Sequence, residues 1–264
     1  MLYPHHQSAL ERFIAQYSQN PEVQAIVVGG SLVKGFGKPS SDLDVLIVVD
    51  EEAFEQRKAS GQLSYYSEDF TDYEGGYVDG KHLSLAFLRT VAEKGSEPAR
   101  AAFWKSFVAY SRGDAAELQS LLEQITTYPE EGVQDRIHRF MAQVQAMHWY
   151  VGEGEKHQNP YLLSWSANRA VLFTARMLLA HNRLFFPYHK WMLRMLELAP
   201  ELPEGYLQKV DALMKSPSVQ GTRDLCDLVL GYQDWGTPKL HWTNLFMQDS
   251  ELNWLSGQTP IEDL

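Results

Sequence analysis

Cysteine is almost absent from this chain: Cys226 is the only one in 264 residues. A single thiol excludes an intramolecular disulfide and a cysteine-based zinc site. Long apolar runs are missing too, and none approaches the ~20 residues that a membrane span needs. The start, Met1-Leu2-Tyr3-Pro4-His5-His6, lacks the apolar core of a signal peptide, so a cytoplasmic protein with no membrane partner is expected. Basic residues are scarce: 23 Lys and Arg stand against 34 Asp and Glu, for a formal charge of −11. Acidic residues outnumber basic ones in both halves of the chain, so no basic half or tail is available. Neutralising phosphates supplies much of the affinity of a nucleic-acid binder, and a chain of this charge is expected to have no nucleic-acid partner.

What is present is ample material for packed cores, with 44% hydrophobic and 12% aromatic residues. The length exceeds the usual single domain and predicts two. The periodicity predicts a helix over Gln7 to Tyr17, with Leu10, Phe13, Ile14 and Tyr17 on one face, and a strand over Val23 to Val28. A second strand, Leu43 to Val49, is apolar almost throughout, as a strand covered on both faces would be. A polar helix is predicted over Glu51 to Lys58, anchored by Phe54, and irregular strand over the tyrosine-rich Tyr65 to Val78. Asp79-Gly80 has the composition of a hairpin turn, and Lys81 to Leu88 alternates as the strand after it.

From Val91 onward the pattern is helical. Val91 to Ser111 carries Phe103, Phe107 and Tyr110 at helical spacing, and Asp114 is placed to cap a helix through Ile125. Long helices are expected over Val133 to Val151 and Tyr161 to Asn182, joined by a Gly152-Glu153-Gly154-Glu155 loop. Shorter ones follow over Tyr188 to Leu198, Glu204 to Met214, Thr222 to Tyr232 and Asn244 to Leu255. The expected architecture is an α/β domain with a mixed sheet over residues 1–115, followed by an all-α helical bundle over 116–264.

One stretch carries the chemistry. The apolar run Ala25-Ile26-Val27-Val28 stops at Gly29-Gly30-Ser31, and after ten further residues Asp42-Leu43-Asp44-Val45 opens the second apolar run. Glycine has no Cβ and lets the backbone approach a phosphate closely, while serine adds a hydroxyl donor. Residues two apart in a strand point the same way, so Asp42 and Asp44 share one face. Carboxylates at the start of a buried strand are costly unless they bind something, and a pair on one face suits a hard divalent cation such as magnesium.

This arrangement resembles the defining motif of the nucleotidyltransferase superfamily of the DNA polymerase β type. Lys34-Gly35 fall where that family tends to have a basic residue and glycine, and Ser41 precedes the first aspartate. The resemblance implies that Gly30, Ser31, Lys34 and Ser41 serve nucleotide binding, and that Asp42 and Asp44 are catalytic and hold Mg2+. The family commonly adds a third carboxylate on a neighbouring strand. Here the predicted strand offers His82, Ser84 and Ala86, while Asp79 is assigned to a turn and Asp72 and Glu74 are more remote.

The helical half is similar to the partner domain of kanamycin nucleotidyltransferase-like small-molecule adenylyltransferases. Asn182 through Trp191 looks like an Asn-x-x-x-Pro-x-x-Lys-Trp stretch of some members, which assigns Lys190 to the triphosphate or to an acidic substrate. A snorkelling lysine beside a packed Trp191 is the competing reading. Glu153 and Glu155 could offer a general base from their loop, or be a solvated acidic face. Arg183 and His189 also fit the loose Arg-to-His spacing of HEPN-type ribonucleases, although Pro187 between them breaks a helix. Trp149, Trp165, Trp235, Trp242 and Trp254 are expected in the bundle core.

The function implied is Mg2+-dependent transfer of a nucleoside monophosphate from an NTP such as ATP to a hydroxyl of a small molecule. That acceptor is expected between the two domains, and to be cationic by charge complementarity with an acidic protein. A catalytically weakened, nucleotide-binding or antitoxin-like regulator of the same fold is the alternative.

Overall fold

The computed structural model describes residues 2–257. The chain divides into two compact units, Met1–Tyr128 and Pro129–Leu264.

The first unit is built in the order α1 (Pro4–Tyr17), β1 (Val23–Val28), α2 (Gly30–Lys34), β2 (Leu43–Val49), α3 (Glu51–Ala59), β3 (Ser64–Ser67), β4 (Val78–Leu83), α4 (Leu85–Lys94), α5 (Glu97–Ala102), β5 (Phe107–Ser111) and α6 (Ala116–Thr126). The strands form one mixed sheet in the order β3-β4-β2-β1-β5. β2 lies antiparallel to β1 and parallel to β4, and β1 also pairs antiparallel with β5. The alternation along β1 and β2 sorts their side chains into two cores. Ile26, Val28, Leu43, Val45 and Ile47 pack with Leu10 and Phe13 of α1 and Phe54 of α3. Ala25, Val27 and Val48 pack with Leu88 and Val91 of α4 and with Leu118, Leu121, Leu122 and Ile125 of α6. The two central strands are therefore covered on both faces, as their near-continuous apolar runs require.

Helix boundaries follow from local chemistry. Asp50 accepts from the Ala53 N–H at 2.8 Å and Ser84 from the Phe87 N–H at 3.1 Å, so each caps the helix that follows it. Ser84 is why the strand expected over Lys81 to Leu88 stops at Leu83: the residues beyond it turn into α4. The helix expected over Val91 to Ser111 is also replaced. Gly95 ends α4, Ser96 caps α5 with Pro98 in its first turn, and Phe107–Ser111 is an edge strand on β1. The helix α6, beyond the boundary expected at residue 115, buries its leucines in the first unit's core. Arg100, almost fully buried, ties these helices together by donating to the carbonyls of Ala92, Gly95, Gln124 and Ile125.

The second unit is helical: α7 (Val133–Lys156), α8 (Pro160–His181), α9 (Met192–Leu196), α10 (Tyr206–Lys215), α11 (Val219–Leu230) and α12 (Trp242–Phe246), which runs on into a π turn over Met247–Glu251. The loop expected at Gly152 to Glu155 is the last turn of α7 instead. Its glycines serve packing: a Cβ on Gly154 would lie 2.9 Å from the Leu163 nitrogen, where α8 comes close. Trp235 is buried and donates to the Val229 carbonyl, whereas Trp149 and Trp254 are more than half exposed rather than core. Among the described residues no helix is long and apolar enough to cross a membrane.

Candidate active site

The strand β1 ends at Val28; the Gly29 N–H after it donates to the Asp44 carbonyl at 3.1 Å, and the chain then turns sharply into α2. Gly30 makes the turn with φ +74°, in the left-handed region that disfavours side chains. A Cβ there would lie 1.6 Å from Asp44 Oδ2, so the carboxylate fills the space that only glycine leaves. The Ser31 N–H donates to the same Oδ2 at 3.3 Å. Gly29, Gly30, Ser31 and Asp44 are thus one packed unit.

Asp42 lies just before β2 and Asp44 is its second residue. In the parallel ladder with β4, Asp44 sits opposite Asp79. Residues level with each other on neighbouring strands project from the same face, and the three side chains converge. One carboxylate oxygen from each of Asp42, Asp44 and Asp79 lies within 4.8 Å of the other two. Asp79 is therefore the third carboxylate and not a turn residue. Its partner Gly80 is a strand residue because a Cβ there would lie 2.9 Å from the Val45 carbonyl oxygen; the missing side chain lets β4 come close to β2. His82 and Ser84, expected to face the site, do not: His82 alternates to the opposite face of β4 from Asp79, with its ring against Tyr65, and Ser84 caps α4.

Burial, then the neighbouring charge of Asp42, pushes Asp44 up to about 6, against the weaker pull of the Ser31 N–H. Lys34 is buried beside Asp44, and desolvation lowers its pKa while Asp44 opposes the shift. Tyr77 is held above its usual range chiefly by the Asp42 charge, with burial, Asp79 and Asp44 adding to it. Sequence reasoning missed Tyr77; its only sequence signal is its place two residues before Asp79.

The loop that carries Asp42 is clamped from α1. His6 is fully buried and donates through Nε2 to the Ser41 carbonyl at 2.8 Å, the Tyr73 hydroxyl donates to the same oxygen at 2.8 Å, and His5 Nε2 donates to the Pro39 carbonyl at 2.8 Å. A carbonyl only accepts, so these imidazoles carry their proton on Nε2. The Ser41 hydroxyl accepts from the Lys38 N–H at 2.9 Å, which braces the same loop.

Lys190 belongs to the second unit, on a 3-10 turn over His189–Trp191, with Nζ 5.2 Å from the Trp191 ring centroid. Arg183 there pairs with Glu130 through Nε at 2.8 Å and donates to the carbonyls of Ala180 and His181. Those bonds use up donors that a ribonuclease arginine would aim at phosphate. Glu153 faces Lys156 and His157 on the last turn of α7 and offers no base from a loop.

Residues 9–94 match the family described as the nucleotidyltransferase domain, a span that contains the Gly-Gly-Ser turn and all three aspartates. This region is a nucleotidyltransferase domain. Domains of that family move a nucleoside monophosphate from a nucleoside triphosphate, and generally use divalent metal ions. Residues 109–192 match a second family, a domain of unknown function (DUF4037). Among solved structures, a nucleotidyltransferase-like protein from Exiguobacterium sibiricum is similar over 98% of this chain and 83% of its own, at 11% identity and a TM-score of 0.46. No curated protein matches the chain.

The residues present fit a hard divalent cation. Three carboxylates converge within ligand-sharing distance; burial raises Asp44 most, and the further rise owed to Asp42 and Asp79 is what a cation between them would relieve.

Proposed function

We propose that the protein transfers a nucleoside monophosphate from an NTP, with ATP as the first to test, to a hydroxyl group of a small molecule. The observation that carries this reading is the convergence of Asp42, Asp44 and Asp79 beside the Gly29-Gly30-Ser31 turn. Asp42, Asp44 and Asp79 would hold Mg2+, which when bound neutralises phosphate charge and lowers the pKa of an attacking hydroxyl.

The chain's own residues do the rest. The Gly30-Ser31 turn presents a backbone N–H and a hydroxyl to the nucleotide's phosphates without a side chain in the way. Lys34 sets a positive charge behind Asp44 and keeps the pair ionised together. Asp79 is the most exposed of the three acids and takes the proton of the acceptor hydroxyl. The oxygen then bonds to the α-phosphorus, the bond to the β-phosphate oxygen breaks, and pyrophosphate leaves. Ser41 acts through the loop that aims Asp42. The weakened, antitoxin-like alternative rests on a missing third carboxylate, and the convergence of Asp79 with Asp42 and Asp44 supports the catalytic reading over it.

The test is pyrophosphate release from ATP by the full chain with Mg2+, screened across hydroxylated small molecules. Release should depend on the acceptor and disappear with EDTA, in Asp42→Asn and in Asp79→Asn. Turnover that survives both substitutions would sink the assignment of the site. Nucleotide-dependent thermal stabilisation with no turnover for any acceptor would favour the regulatory reading.

A further inference from the structure

Asp42 differs from the other two acids of the site in how its backbone is held. Asp44 and Asp79 lie level with each other in the β2–β4 ladder, and the Gly29 N–H donates to the Asp44 carbonyl at 3.1 Å. Asp42 comes before the first residue of β2, and residues 35–42 form neither helix nor strand. Gly35 and Gly37 give that stretch wide conformational freedom. A carboxylate at its end needs something other than the sheet to aim it.

The Ser41 carbonyl supplies the hold. The His6 Nε2 and the Tyr73 hydroxyl both donate to it at 2.8 Å. A carbonyl oxygen offers two lone pairs, and two donors use both. The peptide unit is planar, so fixing the Ser41 oxygen fixes the plane that ends at the Asp42 Cα. Two residues earlier, the Pro39 carbonyl accepts from His5 Nε2 at 2.8 Å.

The donors are themselves held. The ring centroids of His5 and His6 lie 4.1 Å apart, and those of His6 and Tyr73 lie 5.1 Å apart. A Cβ on Gly76 would come within 2.6 Å of the Tyr73 ring, so the missing side chain gives that ring its place. Arg12 of α1 donates to the Phe70 carbonyl through Nε at 2.9 Å and Nη2 at 2.6 Å, which ties α1 to the segment carrying Tyr73. His6 is fully buried, and its Nδ1 has no partner among the described residues. A buried nitrogen without a partner is costly, and an apolar side chain would fill the space without that cost. What the imidazole adds there is its one donor.

We propose that His6 and Tyr73 are positioning residues of the metal site: through the Ser41 carbonyl they hold Asp42 against Asp44 and Asp79, and so set how tightly a divalent cation binds. The inference rests on the reading of the three acids as a metal site. It adds that α1, which contributes no carboxylate to that site, tunes it. Outer partners that orient metal ligands have large effects on affinity even though they never touch the ion.

The experiment is a Mn2+ titration of the full chain without nucleotide, followed by loss of the free-ion electron paramagnetic resonance signal. The wild type should bind Mn2+, and Asp44→Asn should bind it at least about tenfold more weakly. Tyr73→Phe removes one oxygen and keeps the ring; it should weaken binding about three- to tenfold, and His6→Leu about tenfold or more. His6→Gln keeps an amide donor at a reach similar to that of Nε2, and should restore affinity to within about threefold of the wild type. The control is Arg112→Met, because Arg112 donates to the carbonyls of Ser18, Asn20 and Val23 at the opposite end of α1 from His6. It should lower the Tm and leave Mn2+ affinity within about twofold. If His6→Leu does not fold, Tyr73→Phe carries the test. Affinity unchanged in Tyr73→Phe and His6→Leu overturns the proposal and leaves the metal site standing. Equal weakening in Arg112→Met reduces the clamp to general stability and overturns it as well. A wild type that takes up no Mn2+ overturns the reading of the three acids, and this proposal with it.

Discussion

Replacing Asp44 with asparagine should make the metal-free protein more stable while removing its proposed metal site. Asp44 is pushed from 3.8 up to about 6 by burial and by the Asp42 charge. A carboxylate whose pKa is raised in the folded state is protonated more readily there than in the unfolded chain. Between pH 3.8 and about 6 the folded state therefore binds more protons, and stability falls as pH rises through that window. At pH 7.5 the whole cost is present. A rise of about 2 units corresponds to at most about 3 kcal/mol, and solvent screening at a partly exposed group brings the expectation nearer 1–2 kcal/mol. Asparagine removes the charge and keeps an oxygen for the Ser31 N–H. In EDTA at pH 7.5, Asp44→Asn should therefore raise the Tm of the first unit by about 3–6 °C. At pH 5 the gain should shrink, because the wild-type carboxyl is by then largely protonated. Added Mg2+ should stabilise the wild type and leave the variant unmoved. Thermal unfolding with and without EDTA at the two pH values reads all of this. A variant less stable than wild type at pH 7.5, or a gain that grows at pH 5, refutes the reasoning.

Gly30→Ala should lower stability by about 2 kcal/mol or more, since it combines a left-handed backbone with a Cβ 1.6 Å from Asp44 Oδ2. A Mg2+ titration of this variant should show weakened binding even where the fold survives, because Asp44 must move. Arg100→Met should cost about 3 kcal/mol in urea unfolding, because four carbonyls around α4, α5 and α6 lose their donor; a loss below about 1 kcal/mol would show that those carbonyls find other partners. Asn159→Ala should cost about 1 kcal/mol by uncapping α8, whose Leu162 N–H it accepts at 3.0 Å.

The lessons of sequence against structure are uneven across the chain. Apolar alternation and end signals located β1, β2, α1 and the long helices α7 and α8 to within a few residues. They failed at β5, where Phe107 and Tyr110 happen to fall at helical spacing and pairing with β1 overrides it. They failed again at Gly152 to Glu155, where two glycines signalled a loop but serve close packing against α8 and Arg223. Net charge carries no information about where charges gather: in a chain of net charge −11, four arginines line one recess of the second unit.

By itself the sequence determined the Gly29-Gly30-Ser31 turn and the Asp42–Asp44 pair, because both are local: a strand end, a glycine-dependent backbone and a two-residue period. Only the tertiary structure decided that Asp79 completes the site. Its dipeptide with Gly80 has the composition of a turn, and nothing within a few residues contradicts that. The parallel register of β4 on β2 sets Asp79 level with Asp44, and register between strands thirty-odd residues apart is a property of the packed sheet.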